Sequence, residues 1–144
     1  MTINSIQDQI IDEFAILGND RESTIFYIME LGAKLPAMAE SDKTEDNIIK
    51  GCQSKVWLTA DTDADKVSFN ADSNTDITKG LISLLIRVLN QQKPEDILSA
   101  DLYFIEKIGM GSIIGSQRSN GLAAMIKQMK MYALACQAKL QMQK

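Results

Sequence analysis

The chain has 144 residues, of which 45% are hydrophobic and 24% charged, with a net charge of −4 and no histidine. That length and apolar content suit one folded domain over residues 1–144 and exclude a disordered chain. The missing imidazole removes Ser–His–Asp and Cys–His catalysis together with ordinary His-ligated metal sites, and the acidic balance argues against nucleic acid as a partner.

Residues 3–17 place Ile3, Ile6, Ile10, Phe14 and Leu17 on one helical stripe, and Gly18 is a natural stop. Asp20 is positioned to cap a second helix running to about Leu35, with Ile28, Leu31 and Leu35 inward and Pro36 ending it. Residues 37–50 are polar and acid-rich and read as a loop with a short helical turn. The period then changes. Val56, Leu58 and Ala60 alternate with Trp57 and Thr59, and Val67, Phe69 and Ala71 alternate with Ser68 and Asn70. These are two strands of a hairpin joined by a polar turn over Asp61–Lys66. A third strand is expected beside them, because a lone hairpin is only marginally stable.

Ser73 and Asp76 match an S-x-x-D capping box ahead of a helix over 74–91, uncharged between Lys79 and Arg87 and therefore buried around most of its circumference. Pro94, followed by Glu95 and Asp96, begins a short helix. Residues 102–108 add one or two turns. The Gly- and Ser-rich stretch Gly109–Gln117 reads as a flexible loop. From Ser119, Leu122, Ile126, Met129, Ala133, Cys136 and Leu140 recur at helical spacing, giving a long C-terminal helix. Helices packed on a small antiparallel β-sheet make an α+β fold.

No stretch approaches the ~18 apolar residues that span a bilayer, and Met1–Ser5 lacks the basic start and apolar run of a signal peptide. The expectation is a cytoplasmic protein with no membrane partner. Residues 1–50 carry ten acids against four bases, while 101–144 carry two against six. A solvated charged face explains this more simply than a steering field for a partner. The oligomeric state is left open, a homodimer included.

The two cysteines, Cys52 and Cys136, form no C-x-x-C pair and are too few for a zinc site or an iron–sulfur cluster. Cys52 stands in Gly51-Cys52-Gln53-Ser54, between the polar loop and the first strand, with Lys50 and Lys55 the nearest cations. The residues alone leave both a reactive loop thiol and a small buried hydrophobe open. Cys136 lies on the apolar stripe of the last helix and is read as core. Arg118, at the expected start of that helix, opposes the helix dipole. It is either an exposed arginine or a cation placed to meet a thiolate or an acid group. Asp61, Asp63 and Asp65 imitate a calcium-loop start, but Lys66 and Asp72 break the pattern and leave a solvated turn. Gly109, Gly111 and Gly115 have the wrong spacing for a phosphate loop.

The run NIIKGCQSKVWL (Asn47–Leu58) resembles the GCQS-x-VW signature of the SufE family of cysteine-desulfuration proteins. ADSNTDITKGL (Ala71–Leu81) resembles that family's DSD…KGL segment, and QRSNGL (Gln117–Leu122) its SRSNGL segment. The resemblance covers roughly residues 5–135. It implies a SufE/IscU-like α+β fold and a sulfur acceptor whose Cys52 takes persulfide sulfur from a pyridoxal-phosphate cysteine desulfurase of the SufS or CsdA type. The sulfur then passes to iron–sulfur scaffold proteins. It further implies that Gly51, Gln53, Ser54 and Arg118 form the active loop and partner contact, and that the chain has no cofactor or metal of its own. The sequence departs from the family pattern at Asn74, Ile113 and Ser116, none adjacent to Cys52.

The chemistry asked of Cys52 is thiolate attack on a sulfur–sulfur bond, which needs no histidine, metal or second thiol. An apolar shelter for the sulfur, with Trp57, Met110 and Ile113 as walls, would keep reductants away until the loop opens on docking. A one-cysteine thiol peroxidase or redox sensor using Cys52 and Arg118 is the alternative. Whether such a chain counts as an enzyme is open, since a relay has no turnover of its own.

Overall fold

The computed structural model describes the backbone of residues 1–143 and the side chains of 1–110 and 120–143. Helices α1 (Ile3–Ala15) and α2 (Arg21–Ala33) lead through two 3-10 turns (Glu40–Asp42, Glu45–Asn47) into strands β1 (Val56–Asp63) and β2 (Lys66–Ser73). Helices α3 (Asp76–Leu89), α4 (Pro94–Ser99), α5 (Phe104–Lys107) and α6 (Met110–Met142) follow. This is the α+β arrangement expected, helices on a small antiparallel sheet.

The N-terminal helices form as their sequences dictate. Thr2 caps α1 by accepting from Ser5 N, and Asp20 caps α2 by accepting from Ser23 N. Ile3, Ile10 and Phe14 enter the core, but Ile6 is only partly buried. Gln7, a polar residue the apolar stripe passes over, is fully buried. Its Nε2 donates to the Asp101 carbonyl at 3.0 Å and its Oε1 accepts from Phe104 N at 3.1 Å, which ties α1 to the start of α5. A second tie joins α1, α2 and α3. Arg87 forms a two-pronged pair with Glu13, which also accepts from the Tyr27 hydroxyl at 2.7 Å.

The strands run antiparallel in register from Val56↔Ser73 to Asp63↔Lys66, longer than expected, so the turn shrinks to Ala64 and Asp65. Ala64 takes φ 55° to close it. No third strand joins this sheet among the described residues. Single bridges extend the hairpin instead, Ile48↔Trp57 beside β1 and Val67↔Gln92 beside β2. Its apolar face (Val56, Leu58, Val67, Phe69, Ala71) is buried in the same core as α3 and α6, and that burial supplies the stability a free hairpin lacks.

Helix α3 is buried on most sides as expected, but the capping box does not form. Thr75 is the N-cap and no side chain caps the first turn. Helices α2 and α3 cross at two glycines. A Cβ on Gly32 would lie 2.5 Å from Gly80 N, and one on Gly80 would lie 2.1 Å from the Ile28 carbonyl oxygen. Only hydrogen fits at that crossing.

The glycine-rich stretch expected as a loop is helical: α6 begins at Met110, after Gly109 at φ 75°. Two glycines weaken a helix by about 1 kcal/mol each. Met110, fully buried, anchors that end in the core, and residues 122–136 anchor the remainder. Arg118 therefore lies inside α6 rather than at its start, and the helix-dipole argument for it does not hold; its side chain is outside the described ones. No helix among the described residues is long and apolar enough to cross a membrane.

Candidate functional site

Residues 50–55 form a loop closed at its base. Ile49 N donates to the Val56 carbonyl at 2.8 Å, next to the Ile48↔Trp57 bridge. A second clasp reaches the far end of the hairpin. Lys55 N donates to Asn74 Oδ1 at 3.0 Å, Asn74 N donates back to the Lys55 carbonyl at 3.2 Å, and Ser73 Oγ donates to the same carbonyl at 2.8 Å. Asn74, one of the three departures from the family pattern, is thus a binding partner of the cysteine loop.

Gly51 takes φ 97°, a conformation closed to side chains in practice, although a Cβ there would make only ordinary contact with Ala124. Backbone conformation, not crowding, calls for glycine before the cysteine. Cys52 is half-buried, and its thiol donates to the Gly121 carbonyl on α6 at 3.5 Å. Burial pushes the Cys52 thiol above its ordinary pKa, so the resting group is the protonated thiol. A cavity of about 120 Å³ opens beside it, lined by Gln53, Ser54, Thr75, Ile77, Thr78, Leu81, Gly121 and Met125.

Two of the three expected walls are elsewhere. Trp57 and Met110 do not line this cavity, and Ile113 is outside the described side chains. Trp57 instead faces Lys43, whose Nζ is 5.6 Å from the ring centroid. Of the loop residues singled out, Gly51 and Gln53 are exposed while Ser54 turns inward. Ser54 Oγ accepts from Thr75 Oγ1 at 2.9 Å and from Thr78 Oγ1 at 3.3 Å.

Asp72, which in sequence only broke the calcium-loop pattern, is a further residue of the site. Its buried carboxylate lies 3.3 Å from Lys43 Nζ and 3.5 Å from Lys79 Nζ, and it accepts from Ser73 N and Met38 N. Burial alone would raise its pKa. The two backbone donors and the lysines outweigh burial and hold it below the usual carboxylate value. Asp72 thereby joins the segment leading to Cys52, strand β2 and helix α3 at one point. Asp72 was visible in sequence within the ADSNTDITKGL segment, but its lysine partners were not.

Cys136 is buried in the core, as expected. It lies fifteen residues beyond Gly121 on α6, about 22 Å along the helix axis, so the two free thiols are far apart. Asp61 pairs with Lys139 at 3.5 Å and Asp65 with Lys93 at 3.9 Å at the solvated end of the hairpin.

A half-buried loop thiol above a small cavity, on helices packed against one hairpin, defines a thiol-bearing α+β protein. A family model described as the SufE, Fe-S metabolism associated domain matches residues 8–133, and the chain belongs to the SufE family of iron–sulfur metabolism. It is 38% identical over 128 residues to an uncharacterized SufE-like protein of Rhizobium etli, covering 85% of this chain and 86% of that one. It is 37% identical over 128 residues to an uncharacterized SufE-like protein of Rhizobium meliloti, covering 85% and 91%. In fold it is similar to the solution structure of a hypothetical protein from Thermus thermophilus. That match has a TM-score of 0.75 at 20% identity and covers 92% of this chain and 96% of that one.

Proposed function

We propose that this chain accepts sulfane sulfur on Cys52 from the persulfide of a pyridoxal-phosphate cysteine desulfurase, stimulates that enzyme, and hands the sulfur on for iron–sulfur cluster assembly. The observation that carries this reading is a half-buried loop thiol, bonded only weakly to the Gly121 carbonyl, over a cavity with room for another atom. The family supports the same reading.

In the exchange the Cys52 thiolate attacks the outer sulfur of the donor persulfide. The donor's sulfur–sulfur bond breaks, its cysteine leaves as a thiolate, and a new sulfur–sulfur bond forms on Cys52 with no net oxidation. The resting thiol is poorly suited to attack because burial keeps its proton in place. Docking activates it by drawing the loop off Gly121 and bringing up a base or cation from the partner. Distance from Cys136 keeps the loaded sulfur from being discharged as an internal disulfide. Gly51 and Gln53 present the loop to the partner, and Ser54 turns back to hold it. Arg118 belongs to this reading as a partner contact through the resemblance alone.

The test is incubation with desulfurase and cysteine, followed by mass spectrometry of the intact protein and its peptides. The expected result is one added sulfur atom on Cys52, lost in Cys52→Ser and retained in Cys136→Ser, together with a faster desulfurase in the presence of wild type only. Equal labelling of both cysteines, or unchanged stimulation by Cys52→Ser, defeats the proposal.

A further inference from the structure

We infer that Ser54, backed by Thr75 and Thr78, is a hydrogen-bond-donating wall that holds the outer sulfur of a Cys52 persulfide in its anionic form. The inference rests on the sulfur-acceptor reading and assigns chemistry to the cavity beneath Cys52.

A serine hydroxyl has one proton to give and two lone pairs to fill. Ser54 Oγ lies 2.9 Å from Thr75 Oγ1 and 3.3 Å from Thr78 Oγ1 and lines the cavity together with Cys52, and with both threonine hydroxyls donating to it both its lone pairs are engaged. Its own proton is what remains to be offered. Each bond it accepts polarises the hydroxyl and makes it a better donor. Thr75 is the N-cap of α3, yet its side chain makes no capping bond and turns to Ser54 instead. Thr78 is buried, where valine would fill the same space without needing a partner.

The rest of the lining includes the apolar side chains of Ile77, Leu81 and Met125. The outer sulfur of a persulfide lies about 2 Å beyond Sγ. The cavity of about 120 Å³ is well above the ~10–15 Å³ that a single water-sized occupant requires. A persulfide is a stronger acid than the thiol it grows from, so its outer sulfur carries charge near neutral pH. A wholly apolar cavity would drive that charge off, and a donor on one side retains it. The N-terminal end of α3 at the same edge favours an anion, and the one carboxylate of its first turn, Asp76, is exposed and does not line the cavity. Held this way, the outer sulfur is the nucleophile needed for the next transfer.

The experiment loads sulfur from inorganic polysulfide, without desulfurase, in a Cys136→Ala background. The Cys52 thiolate attacks a sulfane sulfur of the polysulfide, that bond breaks, and a shorter polysulfide leaves with the electron pair. Near-ultraviolet absorbance of the persulfide anion is then followed against pH. Relative to the parent, Ser54→Ala is expected to raise the midpoint by about one pH unit, a tenfold loss of acidity. Thr75→Val with Thr78→Val is expected to raise it by about a third of that, and Ser54→Thr to restore it. These valines are near-isosteric and keep the readout available should Ser54→Ala fold poorly. A midpoint unmoved in the folded variants, or polysulfide that never loads Cys52, overturns the inference. Failure of a desulfurase to load the wild-type protein strikes the acceptor reading alone, since the polysulfide arm does not use one.

Discussion

Replacing Gly80 with alanine puts a methyl group where α2 and α3 touch. The added carbon would stand 2.1 Å from the Ile28 carbonyl oxygen, 2.5 Å from Ile28 Cγ2 and 2.7 Å from Ile28 C. Two of those neighbours are backbone and cannot rotate away. Carbon and oxygen in contact sit more than 3 Å apart, so the helices must part by about 1 Å, and every apolar contact along the crossing loosens with them. Overpacking of this kind costs about 1–3 kcal/mol and here falls at the upper end, while alanine returns about 1 kcal/mol of helix propensity. The net loss is about 2 kcal/mol. With a urea m-value of about 2 kcal/mol/M, the unfolding midpoint should fall by about 1 M, read by far-ultraviolet circular dichroism. Gly18→Ala is the control, since nothing lies within 4 Å of its added carbon and only φ 62° opposes it; it should cost about 1 kcal/mol. Gly80 is two residues beyond Thr78, so Gly80→Ala should also widen the cavity and speed alkylation of Cys52. An unchanged or raised midpoint would refute the reasoning, because it would mean that the crossing relaxes without loss.

Asp72→Asn leaves Lys43 and Lys79 without their shared anion and should lower stability by about 2 kcal/mol at neutral pH, measured by urea titration. Because the folded carboxyl is held below its unfolded value near 3.9, this contribution is complete above about pH 4 and disappears as pH falls through the folded value; the asparagine variant should lack that acid-side loss. Tyr27, pushed up to about 12 by burial and by its bond to Glu13, stabilises the fold fully below pH 10, and that stability is lost as pH rises toward 12. Ultraviolet titration should show the late phenol, and Tyr27→Phe should remove it together with its share of alkaline destabilisation. Iodoacetamide should modify Cys52 of the free protein more slowly than an unfolded thiol at pH 8, gaining speed as pH rises, with Cys136 slower still.

Local pattern made the helices and the hairpin legible. Ile3, Ile10 and Phe14 announce α1, Asp20 announces α2, and the alternation around Val56 and Val67 announces the strands. Where an element depended on distant partners, the sequence misled. Gly109–Gln117 has the composition of a loop but is helical, because burial of Met110 outweighs weak propensity. Ser73 has the spacing of a helix cap, yet its hydroxyl donates to the Lys55 carbonyl across the hairpin. For the site, Cys52 and its glycine were readable from their own segment. The cavity walls were not, since Thr75, Thr78, Gly121 and Met125 come from two helices whose approach to residue 52 only the tertiary packing sets.

The closed base of the loop also gives the sulfur a leash. Ile49 is locked to Val56, and Cys52 is the third residue out from that lock. Three residues drawn out straight reach about 10 Å, plus one short side chain. A donor whose own sulfur is recessed deeper than that from the docked surface is out of range unless the Ile49–Val56 pairing tears open. On the proposal that Cys52 accepts sulfur, depth of burial of the donor atom therefore sorts the proteins that can load this chain from those that cannot, before any chemistry begins.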